Sequence, residues 1–176
     1  MRTIRLMHFV YIVILLCLDG VLNALGRQFL IPQFTFVSNM AFMGLIMLSQ
    51  NDSREESIIK AMILGIWLEF NYMDSFPIFF VSFALTMLIV RLFDRHIGYS
   101  VSEFILLIIV SLFIKEIITY IMAWYSKGYN QEFMAFLAYR SFWVLLGNLM
   151  LIPIVRFGYS KMHQYILKKA QNLYMR

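Results

Sequence analysis

The sequence predicts an all-α integral membrane protein: a single bundle of six transmembrane helices with both termini cytoplasmic. Three observations carry that expectation. First, the chain of 176 residues is 61% hydrophobic, 17% aromatic and only 14% charged, against roughly 45–50% apolar and about 25% charged in an ordinary soluble domain. Its mean hydropathy is +0.75, and so little polar surface cannot cover a water-exposed globule. Second, the apolar residues gather into runs near the length of about 20 residues that spans hydrocarbon, without the alternation of barrel strands. The connections between them are too short to hold a soluble catalytic core. Third, lysine and arginine fall on alternate connections. Arg2, Arg5, Arg54, Lys60, Arg91, Arg95, Arg156, Lys161, Lys168, Lys169 and Arg176, eleven of the fifteen, share one side if the N-terminus is inside, as the positive-inside rule requires.

Taken in order, the first span covers residues 6–25. Its basic start and apolar 6–18 have the layout of a signal peptide, but Asp19, Gly20 and Asn23 stand where a small-residue cleavage site belongs, so an uncleaved helix is expected. The second span, 34–49, is shorter because Pro32 and Asn39 interrupt its start. The third covers 57–73, and Ser53 with Glu56 has the spacing of a capping box ahead of it. Asp74, Ser75 and Pro77 make a tight polar turn into the fourth span, 78–93, an antiparallel neighbour of the third. The fifth covers 101–125 and the sixth 133–157. The division is then a bundle over 1–159 and a basic amphipathic cytoplasmic tail over 160–176. Lys161, Lys168 and Lys169 of that tail are expected to lie over anionic lipid. Small residues Gly20, Ala24, Ala61, Gly65 and Gly147 permit close helix approach. The pI near 9.4 follows from the positive-inside bias and calls for no nucleic acid.

Ionisable side chains at mid-membrane cost about 2.5–3.5 kcal/mol on insertion scales, so each must face a partner, water or the bundle interior. Counted from the middle of their spans, Asp19, Glu69, Lys115 and Glu116 lie within about one turn of the midplane, and Asn148 reaches the same depth. Lys115 and Glu116 are adjacent and point about 100° apart on a helix, which predicts partners on other helices. Lys115 is expected to pair with Asp19 or Glu69, leaving surplus carboxylates to be protonated, reach water or meet another cation such as Arg140. The layer is either a structural clasp that fixes helix order, the commoner use of such polar groups, or a ligand or ion site. His8, His96 and His163 sit at separate margins with no paired-ligand spacing, and Cys17 is a single cysteine. No metal, cofactor or enzyme activity is therefore expected.

One stretch carries a family resemblance. It runs from Leu64-Gly65-Ile66-Trp67-Leu68-Glu69-Phe70 through Asp74-Ser75-Phe76-Pro77 to Leu88-Ile89-Val90-Arg91-Leu92-Phe93. A glycine, an acidic residue near a helix end, a short polar turn with proline and a helix ending in basic residues recur in this order in the rod shape-determining protein MreD family. Gly65, Glu69, Ser75, Pro77 and Arg91 match, and Leu18-Asp19-Gly20 resembles a Leu-Asp-Gly in versions from Gram-positive bacteria of low genomic GC. The chain departs in having Glu69 where aspartate is usual, and Ile78 and Phe79 where a glycine follows the proline.

The resemblance implies a multi-pass protein of the bacterial plasma membrane, a non-enzymatic scaffold of the cell elongation machinery. It implies an MreC-like bitopic partner, a link to MreB filaments and peptidoglycan synthesis, and a bundle similar to the substrate-binding subunits of energy-coupling-factor vitamin transporters. Such a subunit is itself the alternative reading. Against it, those subunits resemble one another in an A-x-x-x-A pattern midway along the first helix, where this chain has only Gly20 and Ala24 near the outer end.

Overall fold

In hydrocarbon a backbone amide or carbonyl finds no water, so an apolar chain satisfies these groups within helices. The computed structural model follows that rule. It describes the backbone of residues 2–29, 36–71, 77–93, 101–128 and 132–174, which are nearly all helical, with no strand among the described residues. The elements are α1 (Arg2–Phe29), α2 (Met40–Ser49), α3 (Arg54–Asn71), α4 (Ile78–Phe93), α5 (Val101–Lys127), α6 (Phe133–Phe136), a π-helical segment (Leu137–Ser141) and α7 (Phe142–Tyr174). The last three form one uninterrupted helical run.

Three stretches, Ile4–Gly26, Val101–Ser126 and Phe133–Lys168, are long and apolar enough to cross a bilayer, and they mark the chain as a membrane protein. The distribution of side chains agrees. Phe9, Phe70, Trp124 and Met150 are each more than half exposed, whereas Lys115 is 2% and Glu116 0% exposed. Large apolar groups face outward while the Lys115–Glu116 pair faces inward, as expected of a chain whose surroundings are hydrocarbon.

The second expected span differs from the structure. Residues 36–39 are not helical and α2 has only ten residues, about 15 Å of rise against roughly 30 Å of hydrocarbon. Every residue of α2 is buried. A helix that is apolar all round belongs in the interior, and α2 packs on α1, α3, α4 and α7. Phe42 meets Phe83 edge-on at 4.6 Å between ring centres, and Met43, Ile46, Met87, Ile108, Leu112 and Val155 complete the core around them.

The helices alternate in direction. Arg5 at the start of α1 lies 3.9 Å from Glu56 at the start of α3. Arg91 at the end of α4 donates from Nη1 to Ser49 O (2.8 Å) and from Nη2 to Asp52 O (2.9 Å), placing a cation where the α2 dipole is negative. Asn51 Nδ2 donates to the Tyr159 hydroxyl of α7 at 2.8 Å. Of the capping box, the Ser53 hydroxyl accepts from Glu56 N at 3.2 Å, while the Glu56 carboxylate turns to Arg5.

α3 packs most extensively on α4. A Cβ on Gly65 would stand 2.7 Å from Phe80 Cα and 2.9 Å from Phe79 O, so only glycine lets the two backbones approach this closely. Gly147 lies under the Phe36 ring, a side-chain contact from the non-helical segment rather than a close helix approach, and Gly20 has nothing within 4 Å. Asp74 and Ser75 of the expected turn lie outside the described residues, as does Arg95.

α7 continues from residue 159 to Tyr174 without a break. Lys161 and Lys168 extend along this last helix. Lys161 Nζ lies 5.4 Å from the Phe157 ring centre, and the side chain of Lys169 is outside the described residues.

Candidate functional site: an interior polar layer

A helix start leaves backbone amides without partners, and α2 begins inside the protein where water cannot supply them. Side chains from two other elements, α1 and α7, do. Asp19 of α1 accepts from Met40 N at 2.8 Å and Ala41 N at 2.9 Å, one on each carboxylate oxygen, and also from the Ser38 hydroxyl. Asn148 of α7 accepts from Asn39 N at 2.8 Å and donates to Val37 O at 2.8 Å. Asn23, one helical turn beyond Asp19, accepts from Ser38 N at 2.6 Å. The non-helical segment 36–39 is thereby held by side chains that supply what a helix or water otherwise would.

The charged half of the layer lies on α5 and the π segment. Lys115 and Glu116 fall on the buried face of α5 together with Leu107, Ile108, Ser111, Leu112 and Thr119. Lys115 Nζ donates to Asn39 Oδ1 at 2.6 Å and lies 2.8 Å from Glu116 Oε1. This corrects the expected pairing. The two Cα–Cβ bonds diverge, but the long lysine stem curls back to the neighbouring carboxylate, and Lys115 meets neither Asp19 nor Glu69 in an ion pair. The second oxygen of Glu116 accepts from Arg140 Nε at 3.1 Å, so the surplus carboxylate finds the cation named from sequence. Arg140 comes from the π segment Leu137–Ser141, a local widening of the helix that recurs at functional positions. Asp19 and Glu116 balance Lys115 and Arg140 in formal charge.

Glu69 stands apart from this layer. It accepts from Phe79 N at 2.6 Å and Phe80 N at 3.1 Å, capping the start of α4 from the end of α3. Gly65, one turn earlier, rests on the same Phe80 backbone. Pro77 precedes α4 and its carbonyl accepts from Val81 N. With Arg91 tying the far end of α4 to α2, the described motif positions Gly65, Glu69, Pro77 and Arg91 form one fastening of α4, while Ser75 is outside the described residues.

Asn23, Ser38 and Asn39 escape the sequence reading as site residues. A usable signal exists: Ser38-Asn39 directly before an apolar run is a helix-start pattern. Among the described residues no three His, Cys, Asp or Glu side chains gather as metal ligands. No protein-family model, curated protein or solved structure matches the chain.

Chemically, Asp19, Asn23 and Asn148 satisfy the amides of residues 38–41 and fix where α2 begins. Asp19→Asn keeps one acceptor but turns an NH2 group toward amide donors, so a loss of about 1–3 kcal/mol is expected. Thermal unfolding in neutral detergent measures it, and an unchanged midpoint would refute the capping role of Asp19.

Proposed function

We propose that this chain is a non-enzymatic membrane scaffold of the bacterial cell elongation machinery, an MreD-like protein that holds an MreC-like bitopic partner near the wall-synthesis complex. The observation that carries this reading is the α3–α4 fastening. Residues that match the family in order, Gly65, Glu69, Pro77 and Arg91, are those that set the approach, the cap and the anchorage of α4. A scaffold needs helices held in fixed register, and the interior polar layer serves the same end.

In this reading the alternating helices make six passes of a bacterial plasma membrane, with α2 and the non-helical 36–39 together forming the second pass. Both termini then face the cytoplasm, and the basic end of α7 meets anionic lipid. Cysteines introduced at residues 3 and 172, in a chain with Cys17→Ser, should both resist a membrane-impermeant thiol reagent applied to intact cells. Labelling of one terminus alone would remove the six-pass arrangement.

The alternative, a vitamin-binding transporter subunit, draws on a cavity beside the polar layer. Its volume of about 210 Å³ is below the roughly 300–1,000 Å³ typical of sites that enclose drug-sized ligands, which favours the scaffold. Capture of the tagged chain from native membranes tests the choice. Recovery of a coiled-coil bitopic protein supports the scaffold; recovery of an ATPase pair with a shared transmembrane subunit replaces it with the transporter.

A further inference from the structure

The cavity has a polar end formed by Lys115, Arg140 and Asn23 and apolar walls that include Phe36, Phe83 and Leu68, and it is partly open. Donors outnumber free acceptors there. Asp19 also borders it, but both carboxylate oxygens are engaged by the α2 amides and Ser38, and Asn39 Oδ1 is occupied by Lys115. Arg140 uses Nε on Glu116. Its terminal Nη nitrogens, which carry most of the guanidinium's N–H donors, have no protein acceptor among the described residues. The ammonium of Lys115 is buried, engages Asn39 and Glu116, and carries a further N–H. The positive end of the α2 dipole adds to the same field.

We propose that this cavity binds an amphiphile through one small anionic head, a carboxylate or a phosphate, seated on Arg140 and Lys115. The first carbons of its apolar chain lie against Phe36, Phe83 and Leu68, and the rest leaves through the open side. A guanidinium fork with free Nη groups matches two oxygens of such a head. A volume near 210 Å³ holds a head and a short length of chain rather than a whole lipid. The inference does not depend on the scaffold reading.

The test is titration of the purified full chain, in neutral detergent, with oleate, with oleoyl lysophosphatidate and with uncharged oleyl alcohol. Saturable binding of one or both anions is expected, the tighter one identifying the head, with oleyl alcohol weaker by about tenfold or more. Arg140→Gln should weaken the anions by about tenfold. Leu68→Trp, which fills the apolar wall and leaves the polar layer untouched, should weaken them as much, and it decides the matter if Arg140→Gln does not fold. Equal binding of the alcohol, no saturable binding of either anion, or wild-type affinity in Leu68→Trp overturns the proposal. Because it uses the isolated chain, its outcome is separate from the capture experiment.

Discussion

Replacing Lys115 with methionine should cost on the order of 3–5 kcal/mol of stability, the usual range when one partner of a buried ion pair is removed. Lys115 is 2% and Glu116 0% exposed, so the carboxylate has no route to water. It would keep only Arg140, at 3.1 Å, and Asn39 Oδ1 would lose its 2.6 Å donor. The Lys115→Met, Glu116→Gln double variant should recover part of the loss, because the uncompensated charge disappears with its partner. Lys115→Met combined with Asp19→Asn should recover none, since Asp19 serves α2 and makes no ion pair with Lys115. Thermal midpoints in detergent for the three variants check this; recovery by Asp19→Asn instead would show that the lysine answers to a different acid.

Gly65→Ala is the second large effect. The added methyl would stand 2.7 Å from Phe80 Cα and 2.9 Å from Phe79 O, backbone atoms that cannot rotate away. α3 and α4 must separate, and separation withdraws Glu69 from the amides of Phe79 and Phe80. Overpacking and unsatisfied amides together predict a loss of roughly 2–4 kcal/mol. Gly20→Ala supplies the control. Nothing lies within 4 Å of its Cβ, so higher helix propensity should leave stability unchanged or raise it by up to about 1 kcal/mol. A Gly65→Ala midpoint equal to wild type would show that the contact is not held in solution.

Apolar run length and the depth of charged residues were legible in the sequence because both follow from one-dimensional rules. Residues 101–125 and 133–157 read as long helices and form them, and of the residues read as one layer Asp19, Lys115 and Asn148 meet at residues 39–41 while Glu116 pairs with Lys115. What escaped depends on three-dimensional reach. The 100° rule concerns Cα–Cβ directions, and lysine has enough rotatable bonds to defeat it. Glu69 sits at the end of α3 where α4 starts, and its carboxylate takes the helix-start amides of Phe79 and Phe80. Asn39 looked like an interruption of a span, whereas with Ser38 it marks the start of a half-length helix.

That half-length helix bears on how the protein is made. Ten apolar residues are about half the length that spans hydrocarbon alone, so under the proposed six-pass arrangement α2 would depend on companions to stay inserted. Asn148, which accepts from Asn39 N, lies 109 residues downstream. At about 5–20 residues per second of synthesis, roughly 5–20 s pass before it emerges. Until then the segment entering α2 lacks one of its supports, and its start is completed only when the last helix arrives.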